Sequence, residues 1–211
     1  MGTRDDFLAA ARVAAALLRE PAVAEAWDGP SALPEFSVGG LAGHLGFQIA
    51  GLAALLAEPP GDEEPVSLLD HYGRSSWLGA GPDAEINVRI RGGGERAAQG
   101  GPEALAARVD AALAELSAGL PAAAERPVPL RLWGAWSLML DDLLVTRMLE
   151  LVVHADDLAV SAGVPEPVFP DEAVATVVGL LARLAVRRHG PVAVVRALSR
   201  AERAPATIAA L

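Results

Sequence analysis

The sequence predicts an all-α fold: a four-helix bundle with a crossover connection and a short extra helix at its C-terminal end. Three observations carry the prediction. The 211-residue chain is 52% hydrophobic but only 4% aromatic, an alanine-rich mixture that suits close-packed helices better than a β-sandwich. Its apolar residues recur at helical spacing in several long stretches. Between them stand turn signals such as Asp28-Gly29-Pro30 and Pro59-Pro60-Gly61.

Thr3 is the expected N-cap of the first helix, with Asp5 and Asp6 in the first turn, where the helix dipole favours negative charge. Phe7, Leu8, Ala11, Ala15 and Leu18 follow at helical spacing, and Pro21 interrupts or restarts this first helix, which is expected to end near Trp27. Ser37 is the expected N-cap of a second helix from Val38 to Ala57. Gly39, Gly40, Gly43, Gly46 and Gly51 all lie inside it, each costing up to about 1 kcal/mol against alanine. Such a cost implies that neighbouring backbones, or a ligand, approach closely.

A shorter helical segment is expected over Val66 to Leu78, carrying His71 and Trp77. From Ala84 the pattern is weakly helical, and Gly92-Gly93-Gly94 with Gly100-Gly101-Pro102 predicts a kinked or broken element until Glu103. Ala104 to Leu116 is helical, whereas Val128, Leu130 and Leu132 alternate with Pro129 and Arg131 as an extended crossing segment. Asp141 and Asp142 open a central helix that ends near Gly163-Val164-Pro165. Asp171 caps a further helix to His189-Gly190, and Pro191 begins a last one ending near Ala201. The expectation is one domain over residues 1–211, long enough to bury a core.

A net charge of −10 argues against nucleic acid and against an anionic membrane surface. All 17 basic residues are arginine, so no lysine Schiff base or lysine general base is available. With zero cysteines, any thiol chemistry needs a thiol brought in by a small molecule. The N-terminus lacks the basic start and apolar core of a signal peptide, and the apolar runs read as shorter than the roughly 20 residues of a membrane span. The expected setting is soluble and cytoplasmic.

The central helix carries the one pattern that packing does not explain. At about 100° per residue, Arg147, Glu150, His154, Asp157 and Ser161 fall within one arc of roughly 80°. The other directions are apolar, with Leu143, Leu144, Met148, Leu151, Val152, Val153, Leu158 and Val160. A polar stripe on an otherwise apolar helix needs partners, because a buried unpaired charge is costly. Glu150 and His154, at i,i+4, point to one spot and can seat a metal ion. Taken alone, the pair could equally be a satisfied core pair, with Glu150 bonded to Arg147.

His44, on the glycine-lined face of the second helix, shifts that balance. Two histidines and a carboxylate are the ligand set of catalytic zinc sites, and the same set serves non-haem iron. Asp157 is placed as an acceptor for a ligand histidine or as a base near the open position. Arg147 would neutralise the site or hold an anionic substrate, with a structural salt bridge as the equal alternative. His71 reads as a surface histidine, His189 as a helix-end capping group, Trp133 and Trp136 as packing residues, and Ser161 as incidental.

Three stretches together resemble a known family: Phe36 to Leu45 with Gly43-His44-Leu45, Thr146 to Ala159 with its Arg-x-x-Glu-x-x-x-His-x-x-Asp pattern, and His189 to Leu198. The chain resembles the metal-binding N-terminal domain of mycothiol-dependent maleylpyruvate isomerase, a DinB-like four-helix bundle, from about Phe7 to Ala204. The resemblance implies a divalent metal held by His44, Glu150 and His154, zinc first with iron or nickel as alternatives. It implies mycothiol as the cosubstrate, its metal-bound thiolate attacking a small electrophilic substrate in an isomerase or thiol-transferase reaction. The isomerase carries a second, C-terminal domain, and a chain ending at Leu211 is expected to lack one, which leaves the reaction open. Two other readings stand beside this one: a metalloenzyme that activates water or Fe(II) without a thiol, and a non-catalytic metal-binding bundle. An alanine-rich bundle of this kind can also form a homodimer.

Overall fold

The computed structural model describes residues 2–211, and the described residues contain nine α-helices and one small hairpin. Helices α1 (Thr3–Leu17), α3 (Val38–Ala57), α6 (Gly101–Gly119) and α7 (Leu140–Ala162) make the bundle. Both α1 and α3 pack against α6 and α7, so α1 and α3 stand at opposite corners. The link from α1 to α3 therefore crosses the bundle, as does the link from α6 to α7. Phe7, Leu41, Leu45, Ile49, Leu144, Met148 and Leu151 fill the space between them and are fully buried.

Local chemistry sets the element boundaries. The Ser37 hydroxyl accepts the Gly40 backbone N–H at 2.8 Å and starts α3. Pro21 restarts the chain as α2 (Pro21–Glu25). Gly163, in the left-handed conformation at φ 67°, ends α7. Beyond it, α8 (Asp171–His189) packs on α7 and α1, and α9 (Pro191–Ser199) folds back on α8.

Three expectations need correction. The glycine run at 92–94 does not break the chain: α5 (Glu85–Ala97) passes through it without interruption. A Cβ on Gly43 would lie 2.1 Å from the Gly94 carbonyl oxygen, and one on Gly94 would lie 2.4 Å from that of Gly40. The two helices thus meet backbone to backbone, and Gly43 and Gly94 are the residues that permit it. The extended segment is half of an antiparallel hairpin, β1 (Pro127–Pro129) with β2 (Ser137–Met139), Val128 opposite Leu138. Its partner strand runs straight into α7. Finally, α3 is long and apolar enough to cross a membrane by length and composition. The reason is its place in the fold, since it packs against α5, α6 and α7 together.

Helix α4 (Leu68–Arg74) is shorter than its sequence pattern and is capped by Ser67, whose hydroxyl accepts the Asp70 N–H. The segment before it is tied to the hairpin by a bond from Val66 N–H to Ser137 O of 3.0 Å. That tether lays α4 against α7 and α8.

Candidate metal centre

His44 sits mid-way along α3 and Glu150 and His154 lie on consecutive turns of α7, on the face turned toward α3. Their ligand atoms, one nitrogen from each imidazole and one carboxylate oxygen, all lie within 4.8 Å of one another. His44 Nε2 is 3.1 Å from Glu150 Oε2, and His154 Nε2 is 3.4 Å from the same oxygen. The two rings meet edge to face with centroids 4.8 Å apart. All three side chains are partly buried, between 14% and 21% exposed, so the cluster keeps some access to solvent.

The donor set fits a divalent ion on two counts. Two ligands each about 2.0–2.1 Å from a tetrahedral zinc are about 3.3 Å apart, close to both separations found here. The second count is the hydrogen-bond demand on His44 Nε2. Arg147 Nη1 donates to Gln48 Oε1 at 2.7 Å, and because arginine only donates, the Gln48 amide nitrogen is turned to His44. That nitrogen lies 3.1 Å from the His44 carbonyl and 3.4 Å from His44 Nε2. Nε2 therefore faces a donor, Gln48, and an acceptor, Glu150. A ring proton on Nε2 suits Glu150 and opposes Gln48; a bare Nε2 does the reverse. A cation between Nε2 and the carboxylate would take the Nε2 lone pair and satisfy Glu150, leaving the Gln48 N–H to the His44 carbonyl at 3.1 Å.

Burial alone would raise the Glu150 carboxyl, but hydrogen bonds from His154 and His44 hold it well below the usual range. Burial would lower His154, yet its bonds to Asp157 and Glu150 raise it to about 9. Asp157 Oδ2 accepts from His154 Nδ1 at 2.9 Å, which turns His154 Nε2 toward Glu150.

The polar stripe thus resolves into distinct parts. Arg147 forms no ion pair among the described residues; its Nε donates to Thr146 Oγ1 at 3.1 Å and its Nη1 to Gln48. Neither the Glu150–Arg147 bond nor the structural salt bridge weighed from sequence is formed. Ser161 is not incidental. Its hydroxyl donates to the Asp157 carbonyl and accepts the Ala32 N–H at 2.8 Å, tying the loop before α3 to the end of α7. That loop carries Phe36, whose ring centroid lies 6.0 Å from that of His44.

His71 is buried rather than on the surface, only 4% exposed. Its Nδ1 accepts the Trp136 indole N–H at 3.2 Å. Burial pushes the ring down to about 4, aided by the charge of Arg147 and opposed by that of Glu150. Tyr72, buried beside it, is pushed up by burial and by Glu150. His189 ends α8 and its Nε2 donates to the Ala209 carbonyl at 2.8 Å, a tether for the C-terminal segment. Gln48 went unassigned from sequence, although its i+4 spacing from His44 was the available signal.

The family model for the mycothiol maleylpyruvate isomerase N-terminal domain matches residues 7–159. The chain belongs to this family. The match takes in most of α1 through most of α7, and His44, Glu150 and His154 lie inside it. The Gly43-His44-Leu45 and Arg147-to-Asp157 stretches lie inside it, and the His189 to Leu198 stretch lies outside. The bundle is accordingly a DinB-like one. No curated protein and no solved structure matches the chain.

Proposed function

We propose that this chain is a cytoplasmic, divalent-metal-dependent enzyme that uses a low-molecular-weight thiol of the mycothiol type against a small electrophilic substrate, as an isomerase or thiol transferase. The carrying observation is the convergence of His44, Glu150 and His154 from α3 and α7 on one partly open spot. The family match supports a thiol of this kind, and the absence of cysteine means that the chain supplies none itself. Zinc is the proposed ion, because two imidazoles, one carboxylate and access to solvent suit a catalytic zinc site. When bound, such an ion supplies positive charge that lowers the pKa of a thiol and positions its sulfur.

The residues around it have separate tasks. Asp157 accepts from His154 Nδ1 and keeps the ring from turning, and beside the site its carboxylate can take up a proton from the reactants. Arg147 is fixed through Nε and Nη1 and presents its remaining N–H groups for a negative charge on the substrate. Residues 1–211 would work as one domain, with α8 bracing α7 from behind.

The test is metal content. Purified protein should carry close to one zinc per chain, and His44→Ala and Glu150→Gln should each lose most of it while staying folded. Retention of full zinc by His44→Ala would show the ligand assignment to be wrong. Iron in place of zinc would favour oxygen chemistry over thiol chemistry.

A further inference from the structure

We propose that residues 31–36 form a strap that gates access to the metal centre, with Phe36 as its stopper and Ser161 as its latch. The inference rests on the metal-centre reading and concerns residues that hold no metal themselves. Helices α3 and α7 run antiparallel across the site. His44 faces Glu150, while Gln48, one turn further along α3, faces Arg147, one turn earlier on α7. The ligands therefore lie in a groove between two helices. One end of that groove is stopped by the bond between Arg147 and the buried Gln48. At the other end stand the start of α3 and the end of α7, and the strap crosses between them.

The strap is folded largely on itself. Ser31 N–H donates to the Phe36 carbonyl at 3.0 Å, Phe36 N–H to the Leu33 carbonyl at 3.2 Å, and Leu33 N–H to the Ser31 hydroxyl at 3.2 Å. Among the described residues, its hydrogen bond to α7 is the one from Ala32 N–H to Ser161 Oγ at 2.8 Å. Glu35 is held at φ 70°, a left-handed conformation that is uncommon for a residue with a side chain. A strained loop with internal bonds and one fastening to α7 is built to swing as a unit. Its Phe36 ring, partly buried, lies with its centroid 6.0 Å from that of His44, so the strap's aromatic residue stands directly beside a ligand.

Gating has a signature that ligand orientation lacks. All three ligands stand on α3 and α7, so the same atoms hold the ion whether the strap is shut or open. The ion then favours neither form, and opening speeds entry and exit by one factor while the affinity stays the same.

The test compares two rates in the zinc-loaded full chain, for the wild type, Ser161→Ala, Ser161→Thr, Phe36→Ala and the Ser161→Ala/Phe36→Ala double variant. Zinc release is followed with an excess of a chromophoric chelator. Strap opening is followed by hydrogen exchange at the Ser31 and Phe36 amides, whose acceptors lie within the strap. Loss of one neutral hydrogen bond shifts an opening equilibrium about fivefold. Ser161→Ala should therefore release zinc and exchange both amides about fivefold faster, with unchanged zinc affinity. Ser161→Thr keeps the hydroxyl and should match the wild type. Phe36→Ala should release zinc faster than the wild type, and adding Ser161→Ala should quicken it little further, since a latch without a stopper gates nothing. If Phe36→Ala does not fold, the two Ser161 variants decide. Amide exchange unchanged in Ser161→Ala, zinc release unchanged while exchange quickens, or a loss of affinity as large as the gain in release rate would each overturn the proposal. A wild type that carries no zinc would instead overturn the metal-centre reading, and the gate with it.

Discussion

Three neighbouring glycines in α5 should respond to alanine with opposite signs. On Gly94 a Cβ would stand 2.4 Å from the Gly40 carbonyl oxygen and 3.3 Å from the His44 Cβ, whereas ordinary contact begins at 3.4 Å. Helix α5 must therefore move away from α3 by about 1 Å, opening the α3 face that carries His44. Overpacking of this kind costs about 1–3 kcal/mol. Against it stands a gain of about 0.5–1 kcal/mol for replacing a mid-helix glycine. The net is a destabilisation of about 1–2 kcal/mol, a fall of roughly 2–8 °C in melting temperature for a domain of this size. A Cβ on Gly92 or Gly93 meets only the tip of Arg96, at 3.3 and 3.8 Å. Those two variants keep the helical gain and should melt about 1–4 °C higher than wild type. Thermal unfolding of the three variants, followed by circular dichroism, gives the comparison. A stabilised Gly94→Ala, or three shifts of the same sign, would refute the close approach of α3 and α5.

Other predictions draw on the site. Asp157→Ala should weaken zinc binding about 10–100-fold, read by chelator competition, because His154 Nδ1 loses its 2.9 Å acceptor. His71 has a folded value of about 4 against 6.5 unfolded, so its contribution to stability is complete above 6.5 and is lost as pH falls toward 4. Up to about 3 kcal/mol is at stake, at about 1.36 kcal/mol per pH unit, and urea unfolding of His71→Gln at several pH values should show a flatter acid limb than wild type. Ser161→Ala removes the acceptor of the Ala32 N–H, and hydrogen exchange in residues 30–36 should quicken while the helices stay protected.

The bounds of α3 were legible because Ser37 and the Pro59-Pro60-Gly61 break are local signals, and the same holds for Gly163 and Pro191. The clustering of the three candidate ligands was legible for a related reason: Glu150 and His154 share a helix face by spacing alone, and His44 was the histidine left facing glycines. Partnerships that depend on folding were not. Arg147 is read by its charge as an ion-pair former, and only the packing of α3 on α7 brings Gln48 to it, 99 residues away. His71 looks solvent-facing beside Asp70, until the hairpin delivers Trp136 to its Nδ1. The run at Gly92-Gly93-Gly94 looks like a break because helix propensity is all that the local sequence offers, whereas the contact with α3 settles the outcome.

The central claim, that a metal at His44, Glu150 and His154 serves a small-molecule thiol, is tested most directly by thermal shift with mycothiol. Zinc-loaded protein should gain several degrees in melting temperature as mycothiol is added, and chelated protein or Glu150→Gln should gain none. A gain that survives removal of the metal would contradict the account, as would zinc-loaded protein that ignores the thiol.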